Sequence, residues 1–181
     1  MSTSPRATRG RSAWTADTAI EKAMSVSTGR DGTWTNPEAA RARVSEWPTA
    51  NADGPVVRGR PQALERAVGN LLENAAKFDA DGDDPIEVRV RRGEITVRDR
   101  GPGIAAADIS RVFDRFYRAD SARGLAGSGL GLAIVHDVAT AHGGDVSAGT
   151  RPGGGATVGF SVSRSRLLPG PGPRTTTAAT D

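Results

Sequence analysis

A two-layer α+β sandwich is the fold class this sequence predicts, on three observations. An amphipathic helical pattern runs over residues 61–78. Two short alternating stretches meet at Gly93 between residues 86 and 99. A glycine-rich turn then leads into a second helical pattern, which two more strand-like stretches follow. Helices on one face of a largely antiparallel or mixed sheet accommodate both periods.

The elements follow in chain order. Residues 1–30 are rich in Ser, Thr, Arg and Ala without a sustained period and read as disordered. "NPEAARARVSEW" (36–47) reads as a short helix, with Asn36 as N-cap and Pro37 in the first turn. "GPVVRG" (54–59) reads as a short strand or its remnant. Pro61 opens the helix 61–78, where Leu64, Val68, Leu71 and Ala75 share the stripe that faces the core. Asn70, Asn74 and Lys77 form a second stripe on its flank, and Glu73 points away from the core. A carboxamide is an odd residue beside a core, because donors and acceptor must all be satisfied.

In "IEVRVRRGEITVRDRG", Ile86, Val88 and Val90 alternate with charged residues, as do Ile95 and Val97 after the turn. Asp99 shares their parity and faces the apolar side, where a lone carboxylate is costly. An Asp at a strand end, already half in a turn, gives the same pattern. Gly101 and Gly103 allow a turn and a close approach. A short helix is expected from about Ala105, and a longer one after "GSGLGL" (127–132), with Leu130, Ile134, Val138 and Ala141 as its apolar stripe and Gly143 as its C-cap. "DVSAGT" and "GATVGFSV", joined through "RPGGG", read as the closing strands, and 164–181 as an unstructured tail. The expected folded unit is 31–163, with its motifs in 55–162.

Composition bounds the function. The 181 residues contain no cysteine, which excludes disulfides and thiolate metal sites. No apolar run approaches the roughly 20 residues that span a bilayer, and the N-terminus lacks a signal-peptide apolar region, so a cytoplasmic protein is expected. Net charge is +3, but the arginines are dispersed among acids and only four Phe are present. A solvated basic surface is expected rather than a nucleic-acid site. A helix start such as that after "GSGLGL" carries unpaired amides and a positive dipole end that suit phosphate. By itself the motif equally describes a surface loop. It is not a dinucleotide fingerprint, since Leu132 stands at the third glycine position, and neither Lys22 nor Lys77 follows a glycine as a Walker loop requires.

Taken in order, the motifs resemble the ATP-binding domain of sensor histidine kinases, in the wider gyrase, Hsp90, histidine kinase and MutL superfamily. "NLLENAAKF" looks like the N box, "DRGPGI" the G1 box, "FDRFYR" the F box and "GSGLGLAIV" the G2 box. The resemblance implies the Bergerat ATP-binding fold, with ATP and Mg²⁺ as cofactors. Asn74 would then ligate Mg²⁺ through its carbonyl oxygen. Asn70 would orient that shell or the γ-phosphate, Lys77 would meet a phosphate as a point charge, and Asp99 would accept from the adenine amino group. Phe78 and Ile104 would wall the base, beside the turn of Gly101 and Gly103; plain core packing is the alternative for Phe78, Ile104 and Tyr117. Tyr117 and Arg118 would sit near the phosphates where a short mobile lid, 119–126, begins. Gly127, Ser128, Gly129, Leu130, Gly131 and Leu132 would hold the polyphosphate. Asn70, Lys77 and Arg118 would act on the reacting phosphoryl group.

ATP hydrolases of this superfamily carry a glutamate where this chain has Asn70. A hydrolase or serine kinase needs a base to activate water or a hydroxyl, whereas a neutral imidazole already offers a lone pair. The expected reaction is therefore phosphoryl transfer to histidine. The chain departs from the family in one respect: its only histidines are His136 and His142, and neither stands in the family's acceptor context. His136 lies opposite the apolar stripe; His142, in the last turn, would suit the helix dipole as a cation. The expectation is a stand-alone catalytic half that phosphorylates a separate histidine-containing protein, with a response regulator downstream. The initial Met and low-complexity N-terminus favour this over a fragment of a longer kinase. The alternatives are an ATP-dependent, non-catalytic regulatory module and a serine-kinase-type relative acting on a regulator.

Overall fold

In the computed structural model, residues 42–46, 56–79, 86–122, 124–125 and 127–168 are described. The expected disorder of 1–30 and the part of the expected helix at 36–41 and 47 lie outside these residues.

Helix α1 (Pro61–Phe78) begins with proline at its first position and has no side-chain cap. Its stripe is the one the spacing predicts. Leu64, Val68, Leu71 and Ala75 are buried, joined by Ala67, Leu72 and Ala76. Full burial contributes about 1.5–3 kcal/mol for each larger aliphatic side chain. Strands β3 (Ile86–Arg91) and β4 (Glu94–Arg98) form the hairpin around Gly93, with Val88 opposite Val97 and Val90 opposite Ile95. β4 pairs antiparallel with β6 (Ala156–Ser161), and β6 with β5 (Val146–Thr150). Helix α2 (Gly131–Ala141) packs along α1, and both helices contact the sheet. Ile86, Val88, Ile95, Val97, Val158 and Phe160 close the core beneath them.

A fifth strand, β1 (Ala42–Glu46), completes the sheet, in the order β1-β3-β4-β6-β5. The other four are antiparallel neighbours. β1 runs parallel to β3 and corrects the helix expected over 36–47. A short isolated helix is marginal in water, whereas the free edge of β3 offers a ladder of main-chain partners that local spacing cannot reveal.

Three further expectations change. The segment from Ala105 is a run of turns, with bonds such as Asp108 N to Ala105 O and Arg111 N to Asp108 O, rather than a regular helix. The buried residues of α2 are Ala133, Val135, Val138 and Ala139, while Leu130 and Ile134 are half-buried and Ala141 is exposed. The stripe is rotated because the first turn of α2 faces a cavity rather than the core. Third, the tail does not become unstructured at 164. Arg164–Arg166 makes a 3₁₀ turn, and β7 (Leu167–Leu168) pairs antiparallel with β2 (Val56–Val57). Leu167 packs against the core and over Gly93. Residues 169–181 lie outside the described part.

His142 was expected in the last turn of α2, where a cation would suit the helix dipole. It is buried, with 2% of its surface exposed. Its Nδ1 lies 2.7 Å from the Val138 carbonyl, and its Nε2 accepts from the Arg60 amide at 3.1 Å. One nitrogen donates and the other accepts, which fits a neutral imidazole. The histidine thereby supplies the partner that the uncapped start of α1 lacks.

Candidate functional site

The carboxyl-terminal half of α1, the end of β4 and the start of α2 converge on a cavity of about 440 Å³. At one end stands Asp99, buried as its strand parity predicts. Its Oδ1 accepts from the Gly101 amide at 3.0 Å and the Ala156 amide at 2.9 Å. Among the described residues no hydrogen bond engages Oδ2. Burial raises the Asp99 carboxyl pKa, the Ala156 and Gly101 hydrogen bonds oppose that, the Asp79 charge adds to the rise and Arg151 counters it. Phe78, Gly103, Ile104 and Ala156 line the cavity with Asp99. Gly101 is the one predicted residue that does not line it. It lies behind Asp99, where an added Cβ would overlap the Phe78 carbonyl. Gly103 has φ +79°, which requires its lack of a side chain.

The other end is cationic and rich in donors. Asn70, Asn74 and Lys77 line it from α1, as their shared flank predicts. The Lys77 ammonium sits against Gly127, 2.9 Å from where a Cβ would be, and 5.4 Å from the centre of the Phe78 ring. Burial lowers the Lys77 pKa, and Arg118 lowers it further. Arg118 donates through Nη2 to the carbonyls of Ala122 and Leu125, so it organises the segment expected as a lid. Asn70 lies against Gly131, and its Nδ2 is buried without a hydrogen-bond partner among the described residues. An orphaned buried donor costs about 1–3 kcal/mol, so this amide group is built to meet an acceptor. Leu130 caps α2 without a side-chain bond, and Ile134 is the first residue to donate back to Leu130. The amides of Gly131 and Leu132, both lining the cavity, thus have no partner within the helix. Gly127, Ser128, Gly129 and Leu132 complete this end.

Tyr117 also lines the cavity, but its hydroxyl donates to Asp108 at 2.6 Å and Arg111 lies 4.3 Å over its ring. That hydrogen bond is the main cause of its raised pKa. Its neighbour Phe116 is 71% exposed at φ +64°, with its amide bonded to the Gly129 carbonyl. Arg66, Glu73, Val112, Ile134 and Ala156 also line the cavity and escaped the sequence reading of the site. Arg66 lies one turn before Asn70, so helical spacing could have found it. Ala156 has no chemical signal; its carbonyl accepts from the Asp99 amide and its own amide donates to Asp99 Oδ1.

The donor set bears on which groups fit. The orphaned Asn70 amide, the open α2 amides and Lys77 suit a polyphosphate. Among the described residues no group of three His, Cys, Asp or Glu could hold a metal. A Mg²⁺ ion bound chiefly by phosphates and water, with Asn74 as its one protein ligand, is compatible with this set.

Comparison with known proteins agrees with the geometry. MprB of Mycolicibacterium smegmatis, a signal transduction histidine-protein kinase/phosphatase, is 47% identical over 119 residues, 63% of this chain and 24% of its own length. The sensor-like histidine kinase SenX3 of that organism is 45% identical over 111 residues, 59% of this chain and 29% of its length. The sensor histidine kinase component HK1 of Mycobacterium tuberculosis is 44% identical over 108 residues, 59% of this chain and 64% of its length. The chain thus spans about a quarter of the first two relatives. Among solved structures, the mycobacterial sensor histidine kinase MprB superposes with a TM-score of 0.62 at 29% identity, covering 86% of this chain and 96% of that one. The ATP-binding domain of PrrB from Mycobacterium tuberculosis gives 0.51 at 27% identity, covering 85% and 93%. The model of the histidine kinase-, DNA gyrase B- and HSP90-like ATPases matches residues 59–166, and the chain belongs to that family.

Proposed function

We propose that this chain is the ATP-binding catalytic component of a two-component system, which transfers the γ-phosphoryl group of ATP to a histidine on a separate protein. That histidine then passes the group to a response regulator. The supporting observation is the polarity of the cavity. A buried carboxylate with one unengaged oxygen stands at one end; an orphaned amide, an ammonium and open helix amides stand at the other.

The adenine amino group donates to Asp99 Oδ2. Phe78 and Ile104 pack on the base. Lys77 and the amides at 129–132 bind the phosphates, and Asn70 Nδ2 donates to a phosphate oxygen. Asn74 would hold Mg²⁺ through its carbonyl oxygen, and the metal's charge would offset the charge that builds on the phosphates during transfer. Arg118 orders the lid segment over the polyphosphate. The incoming imidazole bonds to the γ-phosphorus as the bond to the β,γ-bridging oxygen breaks, and ADP departs. Asn70 has no basic group, so nothing at its position deprotonates water or a hydroxyl. An imidazole nucleophile needs no such base.

Neither histidine of this sequence is the acceptor on this reading, because His142 is buried with both nitrogens engaged and His136 stands on the solvent face of α2. The similarity to a relative named a component supports the same arrangement. The test is incubation with labelled ATP and Mg²⁺, alone and with candidate histidine-bearing proteins. Alone, the chain should gain little acid-labile phosphate; with its partner, the partner's histidine should carry it. Autophosphorylation to stoichiometry, lost when His136 and His142 are both replaced, would overturn the proposal.

A further inference from the structure

Behind the cavity wall lies a second buried carboxylate that the proposed reaction does not use. Asp79, 6% exposed, terminates α1 directly after Lys77 and Phe78. Its Oδ2 accepts from the Arg100 amide at 3.2 Å, and the next amide, Gly101, donates to Asp99 at 3.0 Å. The two carboxylates therefore take successive amides of one turn. Gly101 in turn rests on the Phe78 carbonyl so closely that no side chain fits between them.

We infer that Asp79 is a positioning residue for nucleobase selection: by holding the Arg100 amide it fixes the turn that aims Asp99 Oδ2 into the cavity. The inference rests on the proposed reading that Asp99 meets the base. The geometry gives it a mechanical sense. Asp99 has one oxygen committed to two amides, and rotation of the 100–101 peptide units would release one of them. Asp79 blocks that rotation from the end of α1, so the element that carries Lys77 and Phe78 also sets the orientation of Asp99. One helix end thus couples the two ends of the cavity.

Two like charges so arranged oppose each other. Among the described residues, the charged groups acting on Asp99 are Asp79 from α1 and Arg151 from the β5–β6 loop, itself paired with Glu87 at 2.8 Å. Asp79→Ala removes both acceptor and charge. Asp79→Asn keeps a carbonyl acceptor for the Arg100 amide and removes only the charge.

The experiment titrates ATP and GTP by calorimetry into the whole chain and into Asp79→Ala, Asp79→Asn and Asp99→Asn, over about pH 4–8. Asp79→Ala should lose about tenfold in ATP affinity and about tenfold in preference for ATP over GTP. Asp79→Asn should bind ATP within about threefold of the parent at neutral pH. The acid limit of its ATP binding should move to lower pH, because Asp99 ionises more easily without its neighbour's charge. A purely structural Asp79 would lower thermal stability but leave that limb in place. Wild-type selectivity in Asp79→Ala overturns the inference. So does an unmoved acid limb in Asp79→Asn, which stays informative if the alanine variant does not fold. If Asp99→Asn itself keeps full ATP affinity and selectivity, the base-reading proposal fails, and Asp79 with it.

Discussion

Replacing Asp99 by Asn reverses a single donor–acceptor relation, and the structure fixes which one. Oδ1 accepts from two amides, Gly101 at 3.0 Å and Ala156 at 2.9 Å. An asparagine in the same rotamer must present its carbonyl oxygen to them, since its NH₂ would set donor against donor. The NH₂ then takes the place of Oδ2, facing the cavity. Adenine brings an amino donor to that place and guanine a carbonyl acceptor. The adenine hydrogen bond to a charged group is lost, at about 1.5–3 kcal/mol, or roughly ten- to a hundredfold in affinity. GTP should gain relative to ATP. Calorimetric titration of both nucleotides into both proteins checks this, with near-ultraviolet circular dichroism as the control for folding. Equal weakening of ATP and GTP would mean that the carboxylate does not read the base. Undiminished ATP binding would refute the geometry.

Four other perturbations carry definite expectations. Asn74→Ala should abolish Mg²⁺-dependent phosphoryl transfer while changing stability by no more than about 0.5 kcal/mol, because the residue lies on the half-exposed flank of α1; transfer assays and urea unfolding measure the two. Gly129→Ala places a Cβ 2.8 Å from the Phe116 and Tyr117 main chain at φ +72°. It should cost at least about 1–2 kcal/mol and weaken ATP binding, read by denaturation and titration together. His142→Ala leaves the Arg60 amide without its acceptor and opens a cavity; it should cost about 2–4 kcal/mol of unfolding free energy while leaving ATP affinity unchanged. The raised Asp99 pKa has a signed consequence for the nucleotide-free protein. Protonated Asp99 is the form the fold favours, so its contribution is fully present below the unfolded value and is lost as pH rises through the folded one. The stability of the parent relative to Asp99→Asn should therefore fall on going from about pH 4 to pH 7.

What could be read in the sequence is what depends on local spacing. The flank of Asn70, Asn74 and Lys77 follows from 100° per residue, and the inward face of Asp99 from strand parity. Both hold in the structure. What escaped depends on partners remote in sequence. β1 is a strand because β3 has a free edge. His142 is buried because the start of α1 brings an amide donor to it from 82 residues away. The stripe of α2 turns because its first turn borders a cavity. Tyr117 was expected among the phosphates, yet its hydroxyl is held by Asp108, in a segment whose run of turns mimics a helical pattern.

The β2–β7 ribbon has a mechanical consequence. β2 stands between β1 and α1, β7 follows β6, and the two are antiparallel neighbours over Val56–Leu168 and Val57–Leu167. The ribbon therefore ties the last described strand to the entry of α1 and closes residues 56–168 into one loop. A displacement of β7 is passed to the start of α1. Helix α1, 18 residues or about 27 Å long, separates that point from the Asp79–Asp99 end of the cavity. A displacement of the ribbon is therefore a full helix length away from the end proposed to meet the nucleobase.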